Sequence, residues 1–181
     1  IAAMATDWLL CSYRLPREPS RLRLAIWRRA KRLGATLLPD AVWVLPADAK
    51  TREDFDWLAE DIEERGGSVM LWEARSLPPL QDAEVIQRFR ADADQRYAEL
   101  GRAATQLLKA ARRRPLPPAR LEPARQRLRL LERSLRLERR RDYFRAAGRQ
   151  GAETALRAAA TALGIGARTT TTTGRAHAVG D

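Results

Sequence analysis

"ATLLPDAVWVLP" (Ala35–Pro46) holds two short apolar runs on either side of Pro39-Asp40, a turn-forming pair. The pattern predicts two strands. Upstream, "SRLRLAIWRRAKRL" (Ser20–Leu33) places Leu22, Ile26, Ala30 and Leu33 on one helical face. Ser20 suits the N-cap of that helix and Gly34 its end. Before it, "DWLLCSYRL" (Asp7–Leu15) reads as a strand broken by Pro16 and Pro19. Downstream, "TREDFDWLAEDIEERGG" opens a second helix at Thr51, with Asp54 placed as in a capping box. Phe55, Leu58, Ala59 and Ile62 form its apolar stripe. Gly66-Gly67 stop it, and "SVMLWEA" (Ser68–Ala74) supplies a fourth strand.

The order is βαββαβ, the split βαβ unit of an α+β, ferredoxin-like domain, here assigned to residues 6–76. Alternation along the strands pairs Leu9 with Cys11, Val42 with Val44 and Val69 with Leu71, predicted to pack under the two helices. The opposite parity carries Trp8, Trp43 and Trp72. Three tryptophans on one open face are too large a patch to leave wet, so C-terminal helices, a second subunit or a ligand is expected to cover them.

After "SLPPL", apolar residues step by three and four: Ile86, Phe89, Ala93, Tyr97, Leu100, Ala104, Leu107 and Ala111. "RRRPLPPARLEP" (Arg112–Pro123) reads as a stiff connection. Leu121, Ala124, Leu128, Leu131 and Leu135 line the next helix, and Leu130, Leu137 and Phe144 sit seven apart on another face. An antiparallel α-helical hairpin is expected, followed, after a break bracketed by Gly148 and Gly151, by a short helix from Ala152 to Leu163. These elements make an Arg-rich unit over residues 80–163. Residues 164–181, rich in threonine and glycine, are expected to form a disordered tail.

The 181 residues carry a net charge of +11. Residues 1–80 have 12 basic and 12 acidic side chains, whereas residues 81–181 have 22 and 11. A neutral half followed by a basic half fits a globular body with a polyanion-attracting appendage; solvated arginine-rich helix faces would give the same count. One cysteine, Cys11, permits no intramolecular disulfide and fits a reducing compartment, so a cytoplasmic protein is expected. "IAAMATDW" lacks the basic and apolar regions of a signal peptide, and no apolar run is long enough to span a bilayer.

Catalytic chemistry has little to stand on. Cys11 and the single histidine, His177, cannot supply a structural zinc site, and no phosphate-binding glycine loop occurs. Asp54/Asp56 and Asp61/Glu64 read as solvated charges, and Cys11 as an inert core thiol. A non-enzymatic protein without a cofactor is expected.

Arginine is more informative. Arg14, Arg17, Ser20 and Arg21 surround the first helix N-terminus, where free N–H groups, the helix dipole and forked guanidinium donors suit a phosphate or another oxyanion. Solvated surface charge is the alternative there. Arg28, Arg29, Arg112, Arg113, Arg114, Arg120, Arg125, Arg127 and Arg129 are candidates for nucleic-acid binding, and Arg139, Arg140 and Arg141 lie near the far end of the hairpin. No motif for reading a base sequence accompanies them.

Several of these stretches also resemble a known family. They are Pro16-Arg17-Glu18-Pro19-Ser20, Trp27-Arg28-Arg29, Lys31-Arg32-Leu33-Gly34-Ala35, Val42-Trp43-Val44-Leu45-Pro46, Thr51-Arg52-Glu53 and Trp72-Glu73-Ala74-Arg75. With "RFRADADQRYAEL" and "RDYFRAAGRQGAETAL", they resemble the N-terminal region of the ChrB family of chromate-resistance proteins, over roughly Trp8 to Leu163. The resemblance implies a chromate-responsive transcriptional regulator acting beside an efflux transporter, with DNA and chromate or a similar oxyanion as partners. A competing expectation is a dimerisation or docking module using the tryptophan face and the hairpin. The βαββαβ half is also similar to small domains of Cas2 and PaaX-type proteins. The acidic residue of Cas2-like nucleases at the end of the first strand has no counterpart in "SYRLP". Longer ChrB-type proteins carry a second C-terminal domain.

Overall fold

Asp40 and Ala41 both adopt φ 60°, and this left-handed pair turns the chain between the two strands of the central hairpin. Leu38 N–H donates to the Val42 carbonyl across it at 2.8 Å. The computed structural model describes residues 6–17, 20–113 and 117–165. They form β1 (Asp7–Arg14), α1 (Ser20–Leu33), β2 (Thr36–Leu37), β3 (Trp43–Pro46), α2 (Ala49–Glu64), β4 (Ser68–Arg75), α3 (Pro79–Arg113), α4 (Pro118–Arg140) and α5 (Gly148–Ala162). The sheet runs β2-β3-β1-β4 with every neighbouring pair antiparallel. This is the ferredoxin-like α+β arrangement that the element order predicts. The expected tail lies outside the described residues, apart from Gly164 and Ile165, and His177 lies outside them too.

Register decides the two faces. Leu9 pairs with Leu45, and Cys11 pairs with Trp43 and Leu71, so these five side chains share one face. Ile26 and Ala30 of α1 and Phe55, Leu58 and Ile62 of α2 complete the core on that side. The tryptophan parity therefore needs correction. Trp43 sits beside Cys11, buried under the helices, while Val44 pairs with Leu10 on the face of Trp8. The strand is four residues long and buried on both faces, so hydrophobicity gives its alternation no phase.

The other face receives the first turns of α3. Phe89 stacks on Trp8 with ring centroids 5.9 Å apart, and Phe144 closes on both rings at 5.8 and 5.2 Å. Trp8 Nε1 donates to Asp82 Oδ1 at 2.7 Å, fixing the start of α3 against β1. Trp8 is thus covered by C-terminal segments. Trp72 and Met70 on β4 stay about three-fifths exposed, at 58% and 61%.

Helix α3 has 35 residues, about 50 Å of helix, and runs on beyond the sheet. Its stripe of Ala93, Tyr97, Leu100, Ala104 and Leu107 meets Leu128 of α4 and Ala152, Leu156 and Ala159 of α5. The expected hairpin and short helix pack together as three helices. One long helix contributes to both cores.

Three boundaries differ from the sequence reading. Helix α2 starts at Ala49, with Asp48 as N-cap and Thr51 in the N3 position of the capping box; Asp54 instead accepts from Lys50. Thr51 is fully buried, its hydroxyl donating to the Pro46 carbonyl at 2.6 Å, which holds it inside the helix. Helix α4 already begins at Pro118, a residue pre-set for the first helical position, and tolerates Pro123 inside. Helix α5 begins at Gly148, because Asp94 Oδ1 on α3 accepts the Gly148 N–H at 2.6 Å. Gly151 lies inside the helix, not at a break.

Candidate functional site

The first basic junction is open. Arg14 ends β1, Arg17 follows it and Arg21 stands in the first turn of α1, all exposed. Glu18, Pro19 and the Ser20 side chain lie outside the described residues. Among the described residues no hydrogen bond or ion pair links Arg14, Arg17 and Arg21; the Arg17 carbonyl accepts from Arg23 Nη2 at 3.3 Å. Beside them lies a shallow groove lined by Tyr13, Leu15, Arg23, Leu24, Trp27 and Ala41. Leu24 and Trp27 are half-exposed there. Sequence reading passed over this groove, although two apolar residues at i, i+3 on the basic side of α1 were a usable signal.

Of the nine candidate nucleic-acid arginines, three are engaged within the fold. Arg29 Nη1 pairs with Asp61 Oδ2 at 2.9 Å and ties α1 to α2. Burial opposes ionisation of Asp61, but hydrogen bonds from Arg65 and Arg29 outweigh it and hold the carboxyl below its ordinary range. Arg125 Nε donates to the Leu163 carbonyl at 3.2 Å, closing the C-terminal end of α5. Arg129 pairs with Glu122 at 2.6 Å on the surface of α4. Arg28, Arg112, Arg120 and Arg127 are exposed and make no ion pair among the described residues. The Arg113 side chain and Arg114 lie outside the described residues. Arg112 lies in the last turn of α3, Arg120 in the first turn of α4 and Arg127 two turns further along it, so these three lie on the side of the α3–α4 connection.

The far end contains an arrangement that no single segment announces. Arg136, Arg139 and Arg140 occupy the last turns of α4, and Arg149 joins them from the start of α5. These four side chains line an open cavity of about 340 Å³. Glu153 approaches Arg149 at 3.0 Å and Arg139 at 3.7 Å. Arg141, next in sequence, has a different task. Its Nε donates to Glu138 Oε2 at 2.9 Å, and its Nη1 donates to the Lys31 carbonyl at 2.8 Å. The spacing of Arg136, Arg139 and Arg140 was readable as one helical face; Arg149 arrives only through the turn between α4 and α5.

The remaining chemistry is sparse. Cys11 is completely buried, and burial pushes its thiol up to about 12. Thiolate nucleophilicity at neutral pH is thereby suppressed. Among the described residues no group of three His, Cys, Asp or Glu side chains is placed to hold a metal ion, and no helix is long and apolar enough to cross a membrane.

Known proteins give a consistent relationship. The family described as "Protein ChrB, N-terminal" matches residues 23–169, from early α1 past the end of α5. Protein ChrB of Cupriavidus metallidurans (strain ATCC 43123 / DSM 2839 / NBRC 102507 / CH34) is 35% identical over 94 residues, covering 52% of this chain. That match spans 28% of the length of the curated relative. No solved structure matches. Because the family match takes in most of the chain and nearly all of its helical framework, the chain belongs to the ChrB family.

Proposed function

We propose that this chain serves chromate resistance as the DNA-binding part of a chromate-responsive transcriptional regulator. The observation that carries the reading is the group of exposed arginines, Arg112, Arg120 and Arg127, free of ion pairs among the described residues. Guanidinium groups held apart from carboxylates bind backbone phosphates and release condensed counterions, giving steeply salt-dependent affinity. Arg28 on α1 adds a further exposed cation. Recognition of a particular operator would then come from groove contacts or DNA shape. Arg14, Arg17, Ser20 and Arg21 remain a proposed oxyanion site; Arg17→Ala with Arg21→Ala should abolish saturable oxyanion binding if it resides there.

The test is fluorescence anisotropy with a labelled duplex from the upstream region of the protein's own gene. A scrambled duplex is run beside it across a salt series, with and without chromate. Preference for the native duplex, altered by chromate, supports the regulator. Equal binding to both duplexes removes sequence-specific regulation by this chain, and absence of binding removes DNA.

A second reading, a dimerisation module, is favoured by β4. It is an eight-residue strand at the edge of the sheet, and it exposes Met70 and Trp72. Such edges are normally shortened, charged or covered. Sizing across a concentration series tests this: self-association lost on Trp72→Glu supports it, and a monomer at all concentrations sinks it.

A further inference from the structure

We infer that the cavity between the end of α4 and the start of α5 is a binding site for one tetrahedral dianion of the phosphate class. Four arginines line it, Arg136, Arg139, Arg140 and Arg149. Three of them come from one helical face, at positions i, i+3 and i+4. Arg149 joins them from the next helix, so arginine side chains from two elements line the same space.

Charge balance points the same way. Glu153 is the carboxylate that pairs here, with Arg149 and more distantly with Arg139. Arg136 and Arg140 have no hydrogen-bond or ion-pair partner among the described residues. Like charges one turn apart repel, and a multiply charged anion turns that repulsion into attraction for several arginines at once. The C-terminal end of α4 adds a structural reason for Arg139 and Arg140, which sit at the negative pole of that helix. It gives none for Arg136 or for the approach of Arg149.

The lining also selects the ligand class. Four arginines line this cavity, their charged forked heads set on their own aliphatic stems, so it suits a small hydrophilic anion held at the guanidinium ends. Donors from two helices fit the outward-pointing oxygens of a tetrahedral ion. Free inorganic phosphate and a phosphodiester of a nucleic acid present the same chemistry. This inference does not depend on the regulatory reading.

The experiment uses the full chain and inorganic phosphate, with sodium chloride at matched ionic strength as reference. Isothermal titration should give saturable binding of one phosphate in the wild type. Arg136→Gln with Arg140→Gln should weaken it by roughly ten-fold or more, since two charge-assisted donors are lost. These two side chains make no hydrogen bond or ion pair among the described residues, so melting in chloride should shift only by the small helix-end contribution of Arg140. Arg112→Gln with Arg120→Gln should keep wild-type affinity. Equal affinity in wild type and the Arg136/Arg140 variant, or an effect reproduced by chloride, overturns the site. A duplex arm separates the sources: if DNA displaces phosphate and the variant binds DNA less well, the site serves a phosphodiester. If phosphate binding survives saturating DNA, the site serves a free dianion.

Discussion

Arg141 reaches back across 110 residues to cap α1, its Nη1 donating to the Lys31 carbonyl at 2.8 Å. Tyr143 does the same for the Leu33 carbonyl, also at 2.8 Å. The last carbonyls of a helix have no intrahelical partner, and here the turn between α4 and α5 satisfies them. This contact, with the Trp8–Phe89–Phe144 cluster, ties the helical unit to the sheet domain.

Gly34 makes that docking feasible. Its φ is 83°, and a Cβ there would lie 2.6 Å from the Cβ of Arg141. Gly34→Ala should therefore cost about 2–3 kcal/mol, from left-handed strain and displacement of Arg141. Gly151→Ala is the contrast, because nothing lies within 4 Å of a Cβ placed there inside α5. It should raise stability by about 0.5–1 kcal/mol. Urea unfolding of both variants checks the pair; equal effects would mean that Arg141 is not held against α1.

Glu138 organises the same joint. It is 7% exposed and accepts from Arg96 Nε at 2.7 Å and from Arg141. Removing the charge leaves two partly buried guanidinium groups without their counterion, a more damaging change than losing a surface pair. Glu138→Gln should destabilise by about 3 kcal/mol. Arg129→Gln, whose partner Glu122 is well exposed, should change stability by less than about 1 kcal/mol. Denaturant midpoints of the two variants provide the measurement.

The fold was legible wherever proline and glycine punctuate apolar runs. Pro16 and Pro19, Gly34, Pro39-Asp40 and Gly66-Gly67 separate the βαββαβ elements, and the α3 stripe from Ile86 to Ala111 is the face that packs. What escaped depended on partners distant in sequence. The phase of β3 was hidden because both of its faces are covered, and the start of α5 because Asp94 supplies the capping acceptor.

The arginines were harder to read for a related reason. Composition alone cannot separate Arg29, held by Asp61, from Arg28 beside it, which is exposed. Nor does it distinguish Arg140, which lines a cavity, from Arg141, which caps a helix. A charge is most readily available to a ligand where the fold leaves it without an internal partner.

Alkaline pH should expose the burial of Cys11. Its thiol is raised from 9.0 to about 12 by burial, so the folded state keeps a proton that the unfolded state loses. Stability from this group is fully present below pH 9.0 and is lost as pH rises toward about 12. The slope is about 1.4 kcal/mol per pH unit within that window. Tyr97 and Tyr143, also pushed upward chiefly by burial, add to the loss. Cys11→Ala should flatten the profile by up to one proton between those limits. Stability measured at several alkaline pH values tests this, and parallel wild-type and variant profiles would show that the thiol is solvated.

Salt dependence should sort the arginines near the α3–α4 connection by their partners. Arg120 and Arg127 are exposed and make no ion pair among the described residues, whereas Arg129 is paired with Glu122 at 2.6 Å. If duplex DNA lies across this end, Arg120→Gln and Arg127→Gln should each reduce the slope of log affinity against log salt by about 1. Arg129→Gln should reduce it by less, because its guanidinium must leave a carboxylate before meeting a phosphate. The effect should be nearly the same for native and scrambled duplexes, since phosphate contacts carry no base information. Anisotropy titrations over a salt series provide the slopes. Unchanged slopes in the Arg120 and Arg127 variants would move the DNA contact away from this end of the helical unit.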